Sequence, residues 1–163
     1  MKKLEAKKTN NKGFSLVELI IVIAIMAVLM VVLAPQLLRY VESSRLQRDN
    51  SAISEIANAI KVALSDEDIA DDIPSGGLTI TASSGANTNQ TFKLNDMSCF
   101  SVATATDLQA ELNEILGDEV ATSSRTYREV ASSITITIGA DYTITATNMA
   151  EEVDTVTTAV VNF

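Results

Sequence analysis

The feature that most constrains this chain is a nearly unbroken apolar stretch from Phe14 to Ala34, in which only Ser15 and Glu18 are plainly polar. As an α-helix this stretch would be about 31 Å long, which matches the hydrocarbon thickness of a bilayer. A helix that is apolar on all sides needs lipid or the surfaces of other helices around it. We therefore predict a membrane-spanning helix with one carboxylate, Glu18, about one turn from its start.

Charge is distributed unevenly around this stretch. Residues 1–13 contain five lysines and one acid, which leaves seven basic and 20 acidic residues, and hence a net charge of −13, in the rest of the chain. A basic segment before an apolar span is typical of a membrane protein whose N-terminal end stays in the cytoplasm. The acidic remainder disfavours direct nucleic-acid binding, which requires clustered Lys and Arg.

The chain has no histidine and one cysteine, Cys99. It therefore lacks the usual general base and the commonest metal ligand, and we expect no catalytic residue, no metal site, no cofactor and no enzymatic activity. The acidic residues 66–68 and 71–72 could bind calcium, but they do not have the spacing of an EF-hand. Cys99 cannot form an intramolecular disulfide and is predicted to be a small buried residue.

Two ordinary explanations apply to the N-terminal region. A secretory signal has an apolar core of about 7–15 residues and a small-residue cleavage site, whereas this stretch is longer and Pro35 directly follows Ala34. A plain membrane anchor with a basic flank fits the length and remains open.

A more specific resemblance is carried by residues 12–25, Lys12-Gly13-Phe14-Ser15-Leu16-Val17-Glu18-Leu19-Ile20-Ile21-Val22-Ile23-Ala24-Ile25. This segment resembles the class III leader and N-terminal helix of type IV pilins and the related pseudopilins. The resemblance implies that a membrane prepilin peptidase cleaves between Gly13 and Phe14 and methylates the new amino group of Phe14. It also implies that Glu18 acts in subunit assembly, paired with the Phe14 amine of a neighbouring copy, and that Pro35 bends the helix.

Beyond Pro35 the sequence resumes good helix formers, and apolar residues recur on one helical face: Ile53, Ile56, Ala57, Ile60, Ala63 and Leu64. The opposite face is predicted to be solvated and carries the charged residues Arg39, Glu42, Arg45, Arg48, Asp49 and Glu55. Arg45 is spaced for ion pairs with Glu42, three residues before it, and with Asp49, four residues after it. Salt bridges between subunits are the alternative role of these charges. We predict a leader over 1–13, an apolar transmembrane and assembly helix over 14–35, an amphipathic second half over 36–66, and a β-rich globular head over 67–163.

Within the head, alternating patterns predict strands at Leu78–Ala82 and Thr91–Leu94, a hairpin of Ile134–Ile138 and Tyr142–Ala146, and a last strand at Thr155–Val161. A helix is predicted from Thr106, with a capping box to Gln109, an apolar face of Leu108, Leu112, Ile115 and Leu116, and an end at Gly117. The fold class is α+β: a long N-terminal spine helix, transmembrane in its first half, packed against an antiparallel β-sheet.

The resemblance implies a type IV prepilin that becomes the structural subunit of an extracellular pilus, which serves adhesion, twitching or other surface motility, or DNA uptake. The implied partners are copies of the chain itself, the prepilin peptidase and methyltransferase, and the pilus assembly machinery. The implied location is the cytoplasmic membrane, with a cytoplasmic leader, and then the pilus on the cell surface. The lack of a disulfide and the Lys-rich leader fit a Gram-positive pilin. A type II secretion pseudopilin and a single-span anchored surface binding domain remain alternatives.

Overall fold

The computed structural model describes residues 13–83, 88–129, 132–152, 155–156 and 161–163. The helices are α1 (Leu16–Ala63), α2 (Glu67–Asp71), α3 (Thr106–Leu116) and α4 (Arg125–Glu129), with a 3₁₀ turn at Met97–Cys99. The strands are β1 (Leu78–Thr81), β2 (Thr91–Lys93), β3 (Glu119–Ala121), β4 (Thr135–Ile138), β5 (Ile144–Thr147), β6 (Ala150–Glu152), β7 (Thr155–Val156) and β8 (Val161–Asn162). The predicted α+β class, with a long N-terminal helix and an antiparallel sheet, is confirmed.

Helix α1 continues through Pro35 to Ala63. Proline removes one backbone hydrogen bond, yet the good helix formers on both sides of Pro35 allow the helix to continue through it. A bend at Pro35 remains a prediction. Leu38 is the last residue of the first of two compact units, and Arg39–Phe163 form the second.

The main sheet has four antiparallel strands in the order β1-β4-β5-β8. The predicted hairpin is confirmed as β4 and β5, in which Ile136 lies opposite Ala146 and Ile138 opposite Ile144. Strand β1 pairs with the other edge of β4 and places Ile80 opposite Ile136. Isoleucine and threonine alternate along these strands, so one face of the sheet is buried and the other is partly exposed.

The core of the Arg39–Phe163 unit joins the second half of α1 to this sheet. Ile53, Ile56 and Ile60 are fully buried, together with Leu78, Ile80, Ile136 and Ile138 from the strands. The predicted apolar stripe of α1 is therefore confirmed as the helical side of the core.

Two turns of the second unit depend on glycine. Gly77 has a φ of +81°, and a Cβ there would lie 2.5 Å from the carbonyl oxygen of Ile138, so a side chain does not fit. Gly117 has a φ of +84° and caps the C-terminal end of α3, as predicted.

The start and the outer face of α3 differ from the prediction. Its N-cap is Ala105, which makes no side-chain capping bond, so the predicted capping box from Thr106 to Gln109 is wrong. The Gln109 amide donates instead to the carbonyl oxygen of Leu94. Leu108 and Leu112 are buried and Leu116 is partly buried against the core, whereas Ile115 is exposed, so the apolar face of α3 is narrower than predicted.

The acidic residues after α1 begin a second helix. Helix α1 ends at Ala63, and the side chain of Asp66 accepts from the backbone N–H of Asp68 as the N-cap of α2. Acidic side chains at a helix N-terminus are favoured by the exposed N–H groups and by the helix dipole. Within the described residues no group of His, Cys, Asp and Glu could hold a metal ion.

The strands outside the main sheet form two small ribbons. Strand β2, predicted correctly as a strand, pairs with β3. The predicted last strand is divided: β7 pairs with β6, whereas β8 pairs with β5 at the edge of the main sheet. The two ends of the predicted strand Thr155–Val161 thus pair in different sheets, and residues 157–160 lie outside the described residues.

Candidate functional site

The N-terminal end of α1 is closed by its own side chains. Ser15 directly precedes the helix, and its backbone N–H donates to Oε2 of Glu18 at 2.8 Å. The carbonyl oxygen of Ser15 accepts the first helical hydrogen bond, from the N–H of Leu19, at 3.2 Å. This is the carboxylate half of a capping box, in which an acid three residues into the helix accepts from the N-cap amide. The sequence reasoning missed this role, although the spacing Ser15-x-x-Glu18 signals it.

The residues at the predicted cleavage point are open. Gly13 is exposed, and a Cβ added to it would meet no atom within 4 Å, so the fold itself does not require glycine there. Phe14 has 90% of its side chain exposed. The structure thus places Gly13, Phe14 and Glu18 within one accessible segment at the start of α1. Leader residues 1–12 lie outside the described residues.

The first half of α1 exposes large apolar side chains on every side. From Leu16 to Leu38 these side chains are 44% to 75% exposed. By length and composition α1 is able to cross a membrane, and no residue of its most apolar part is buried. Pro35 lies within this exposed part.

The second half of α1 buries two carboxylates that the sequence analysis assigned to the solvated face. Glu42 is 8% exposed and Asp49 is 2% exposed, so that assignment is wrong for both residues. Among the described residues, neither forms the predicted ion pair with Arg45. Their partners are backbone and hydroxyl donors from the segment that leads into α4.

These two carboxylates hold the start of α4 against α1. Oδ2 of Asp49 accepts from the N–H groups of Ser123 at 2.9 Å and Ser124 at 2.7 Å, and Oδ1 accepts from the Ser123 hydroxyl at 3.1 Å. Oε1 of Glu42 accepts from the N–H of Thr126 at 3.0 Å. Buried carboxylates are stable when several N–H groups donate to them, and the start of a helix offers such unpaired donors.

A third polar contact joins α1 to the C-terminal strands. The hydroxyl of Tyr127 donates to Oδ1 of Asn50 at 2.5 Å and accepts from the N–H of Ala150 at 3.0 Å. The Asn50 amide in turn donates to the carbonyl oxygen of Ala150 at 2.8 Å. Burial raises the pKa of Tyr127 to about 12; the Ala150 N–H opposes this rise and the Asp49 carboxylate adds to it.

Cys99 is buried, as predicted, and its thiol lies 3.1 Å from the carbonyl oxygen of Lys93. Burial raises the pKa of this thiol to about 11. The thiolate is the reactive form, so Cys99 is a packing residue at neutral pH.

The burial of Glu42 and Asp49 has a signal in the sequence. The positions 42, 46, 49, 53, 56 and 60 follow alternating steps of three and four residues and form one helical stripe. Extending the apolar stripe backwards from Ile53 therefore places Asp49, Leu46 and Glu42 on the buried face. The partners of these acids, more than 70 residues later in the chain, have no comparable signal.

Comparison with known proteins supports the N-terminal motif. Residues 8–34 match the family described as "Prokaryotic N-terminal methylation motif". The chain is similar to a protein of Clostridium perfringens named "Prepilin peptidase-dependent protein A", with 30% identity over 81 residues, which is 50% of this chain and 56% of the relative. The match thus spans little more than half of that relative's length. No solved structure is significantly similar to this chain.

The family match confirms that residues 8–34 carry the N-terminal methylation motif, the class III prepilin leader. The match to a clostridial protein is consistent with the Gram-positive type that the leader and the lack of a disulfide indicated. The motif covers the residues that the structure leaves open at the start of α1, Gly13, Phe14 and Glu18.

Proposed function

We propose that this chain is a type IV prepilin whose mature form is a structural subunit of an extracellular pilus. The observation that carries the proposal is the contrast along α1: large apolar side chains are exposed from Leu16 to Leu38, whereas the same helix is well packed from Ile53 to Ala63. Exposed apolar surface of this extent needs lipid first and, in a polymer, the same helices of other copies.

In this proposal the chain is divided by role. Residues 1–13 are a leader that a prepilin peptidase removes in the cytoplasmic membrane, and the same enzyme methylates Phe14. Residues 14–35 span the membrane before assembly and pack against the same helices of other copies in the filament afterwards. Pro35 allows a bend in this segment. Residues 36–66 connect this segment to a head of residues 67–163. Assembly machinery in the membrane transfers the subunit to the cell surface. The chain itself acts as a peptidase substrate and a building block, and performs no catalysis.

Glu18 is proposed to pair with the Phe14 amine of a neighbouring copy. Cleavage would turn the Phe14 nitrogen from an amide into a cation, one residue before the Ser15 N–H that Glu18 accepts in this structure. A carboxylate in an apolar surrounding is costly unless a cation or several donors reach it. Pairing between copies would therefore make one axial offset between neighbouring helices more stable than all others.

Two alternatives predict different products. A type II secretion pseudopilin would share the processing but form a short, piston-like filament. A membrane-anchored surface binding domain would keep its leader and remain unpolymerised. The similarity to a protein named as prepilin peptidase-dependent favours processing, and hence the first two of these three functions.

The processing step can be tested with two matched glycine variants. Gly13 and Gly76 are both exposed, and a Cβ at either would meet no atom within 4 Å. We expect Gly13→Leu to block cleavage by a co-expressed prepilin peptidase, because a bulky side chain hinders entry of the backbone into a protease cleft. Gly76→Leu and the unaltered chain should both yield a product that starts at Phe14, and electron microscopy should show surface filaments from these two only. An unaltered chain that keeps Met1 in the presence of the peptidase would contradict the proposal.

A further inference from the structure

The positive charge of the processed chain is concentrated in one short segment. Downstream of residue 13 the chain has seven basic residues, and three of them are Arg39, Arg45 and Arg48 on α1. All three are exposed. We refer to these three residues as the arginine belt.

The fold buries the acids that lie nearest to these arginines in the sequence. The acids within the same stretch of α1 are Glu42 and Asp49, and both are buried and bonded to Ser123, Ser124 and Thr126. The surface of α1 from residue 39 to residue 49 therefore presents three cations and no exposed anion. The remaining residues of the second unit are strongly acidic, with Lys61, Lys93, Arg125 and Arg128 as their basic members.

The belt directly follows the apolar part of α1. Arg39 is the first charged residue after Glu18, and Arg45 and Arg48 follow it six and nine residues later on α1. The polar headgroup layer on one side of a bilayer is roughly 5–8 Å thick. Arginine side chains extend several ångströms along a helix, so the belt can reach phosphates at the membrane surface.

We propose that the arginine belt binds the phosphates of anionic lipids in the outer leaflet of the membrane before the subunit enters a filament. The inference rests on the membrane insertion that forms part of the proposed function. A guanidinium fits a phosphate with two parallel hydrogen bonds, and a surface of several such groups attracts acidic lipids. The contact holds the acidic second unit close to a surface that would otherwise repel it.

A membrane suits the belt better than the acidic surface of another copy. Arg45 and Arg48 lie only about 60° apart around α1, whereas Arg39 lies at least about 120° from both, so the three arginines are not aligned on one face. The side of α1 that carries Glu42, Leu46 and Asp49 packs against the chain itself, with Arg39 on one side of this stripe and Arg45 and Arg48 on the other. A headgroup layer can meet cations on both sides of the stripe, whereas one neighbouring protein covers one face.

The test measures lipid selectivity of the full chain reconstituted in bilayers. Spin-labelled phosphatidylglycerol and phosphatidylcholine report how strongly each lipid associates with the protein. We expect the unaltered chain to prefer phosphatidylglycerol by at least about fivefold at low salt, since a single basic residue near an anionic surface strengthens attraction by about fivefold. The preference should fall towards one at roughly 1 M salt, where the Debye length is about 3 Å.

The decisive variant is Arg39→Gln/Arg45→Gln, because neither side chain bonds to another described residue, whereas Arg48 donates to the hydroxyl of Ser123. We expect this variant to lose most of the preference while its unfolding temperature stays unchanged. The matched control is Lys61→Gln, which removes an exposed cation from the same helix about 33 Å of rise beyond Arg39 and should keep the preference.

Equal association of the two lipids with the unaltered chain, or a preference that survives Arg39→Gln/Arg45→Gln, would overturn the inference. Lost filaments with unchanged lipid preference in that variant would also overturn it and assign the arginines to a neighbouring copy. Selective lipid association in a chain that never forms filaments would support the inference while refuting the proposed pilus function, so the two failures are distinguishable.

Discussion

The two halves of α1 are parts of one helix with opposite surroundings. From Leu16 to Leu38 the side chains are apolar and exposed, and the described contacts of the polar residues are confined to the cap formed by Ser15 and Glu18. From Glu42 to Ala63 one stripe is buried in the core, and even its acids have partners within the chain. The second half of α1 therefore buries its apolar stripe within a single chain, whereas the apolar side chains of the first half are left exposed.

A carboxylate on α1 therefore has a different role in each half of the helix. Asp49 satisfies backbone donors of its own chain and fixes a segment that is distant in sequence. Glu18 accepts from one N–H of its own chain, and in the proposed filament its carboxylate becomes a contact between chains. Variants at the two positions should accordingly affect different properties, namely stability for Asp49 and assembly for Glu18.

The largest effect is expected from replacing Glu18. Removing one partner of a buried ion pair costs about 3–5 kcal/mol, so Glu18→Ala should abolish filaments while membrane insertion and leader cleavage continue. Electron microscopy of sheared surface material measures filament formation. The electrophoretic mobility of the chain extracted from membranes measures leader cleavage.

Glu18→Gln separates the two roles of this side chain. Glutamine also serves as the acceptor of a capping box, so this variant keeps the helix cap and loses only the charge. We expect it to be as defective in assembly as Glu18→Ala, whereas Glu55→Ala, which removes an exposed acid of the same helix, should assemble normally. Normal filaments from Glu18→Gln would refute the ion pair.

The next largest effect concerns packing in the two halves. Ile56 is 0% exposed and Ile23 is 56% exposed. Ile56→Ala should lower the free energy of unfolding by about 2–5 kcal/mol, because it leaves a cavity in the core. Ile23→Ala should leave it within about 0.5 kcal/mol. Chemical denaturation of the full chain in detergent micelles, followed by circular dichroism, measures both; equal losses would mean that the halves do not differ as described.

A smaller loss is expected from the buried carboxylate. Asp49→Ala leaves the buried N–H of Ser124 without its acceptor, and an unsatisfied buried donor costs about 1–3 kcal/mol. Hydrogen exchange should show faster opening of residues 122–127 in this variant. Glu55→Ala provides the control, since the side chain of Glu55 is exposed on the same helix. Unchanged exchange in Asp49→Ala would refute the anchoring role.

The smallest effect is an alkaline loss of stability in the second unit. Burial raises the pKa of Tyr127 to about 12 and that of Cys99 to about 11, so the folded chain holds these protons when the unfolded chain has released them. The free energy of unfolding should therefore be constant below about pH 9 and fall as the pH rises towards 12. Cys99→Ala should make this fall shallower between about pH 9 and pH 11. A stability that rises with pH over this range would contradict the burial of both groups.

Local patterns were sufficient for most of the fold. The 3–4 spacing from Ile53 to Ala63 and the Ile/Thr alternation of β4 and β5 predicted the helical side of the core and the hairpin, because each depends on neighbours in sequence. The pairing of β2 with β3 and the division of the last strand depend on contacts between distant segments, which no local pattern contains. Glu42 and Asp49 were misassigned because charge was weighed above helical position, although burial is favourable wherever N–H donors replace water.

For the candidate site, the sequence was most informative where the chain makes the fewest contacts. Gly13, Phe14 and Glu18 were found from a motif, and the structure adds that the fold does not itself require Gly13 and that Glu18 caps the helix. The contacts proposed for these residues lie in other molecules, so one chain folded alone could not display them.

The most direct test of the central claim is a helical reconstruction, by electron cryomicroscopy, of filaments sheared from cells that express this chain. The account predicts that each subunit begins at Phe14, that residues 14–38 of neighbouring copies pack together along the filament axis, and that the Glu18 carboxylate lies within ion-pair distance of a neighbour's Phe14 amine. Filaments in which these residues face solvent, or in which subunits still carry residues 1–13, would contradict it.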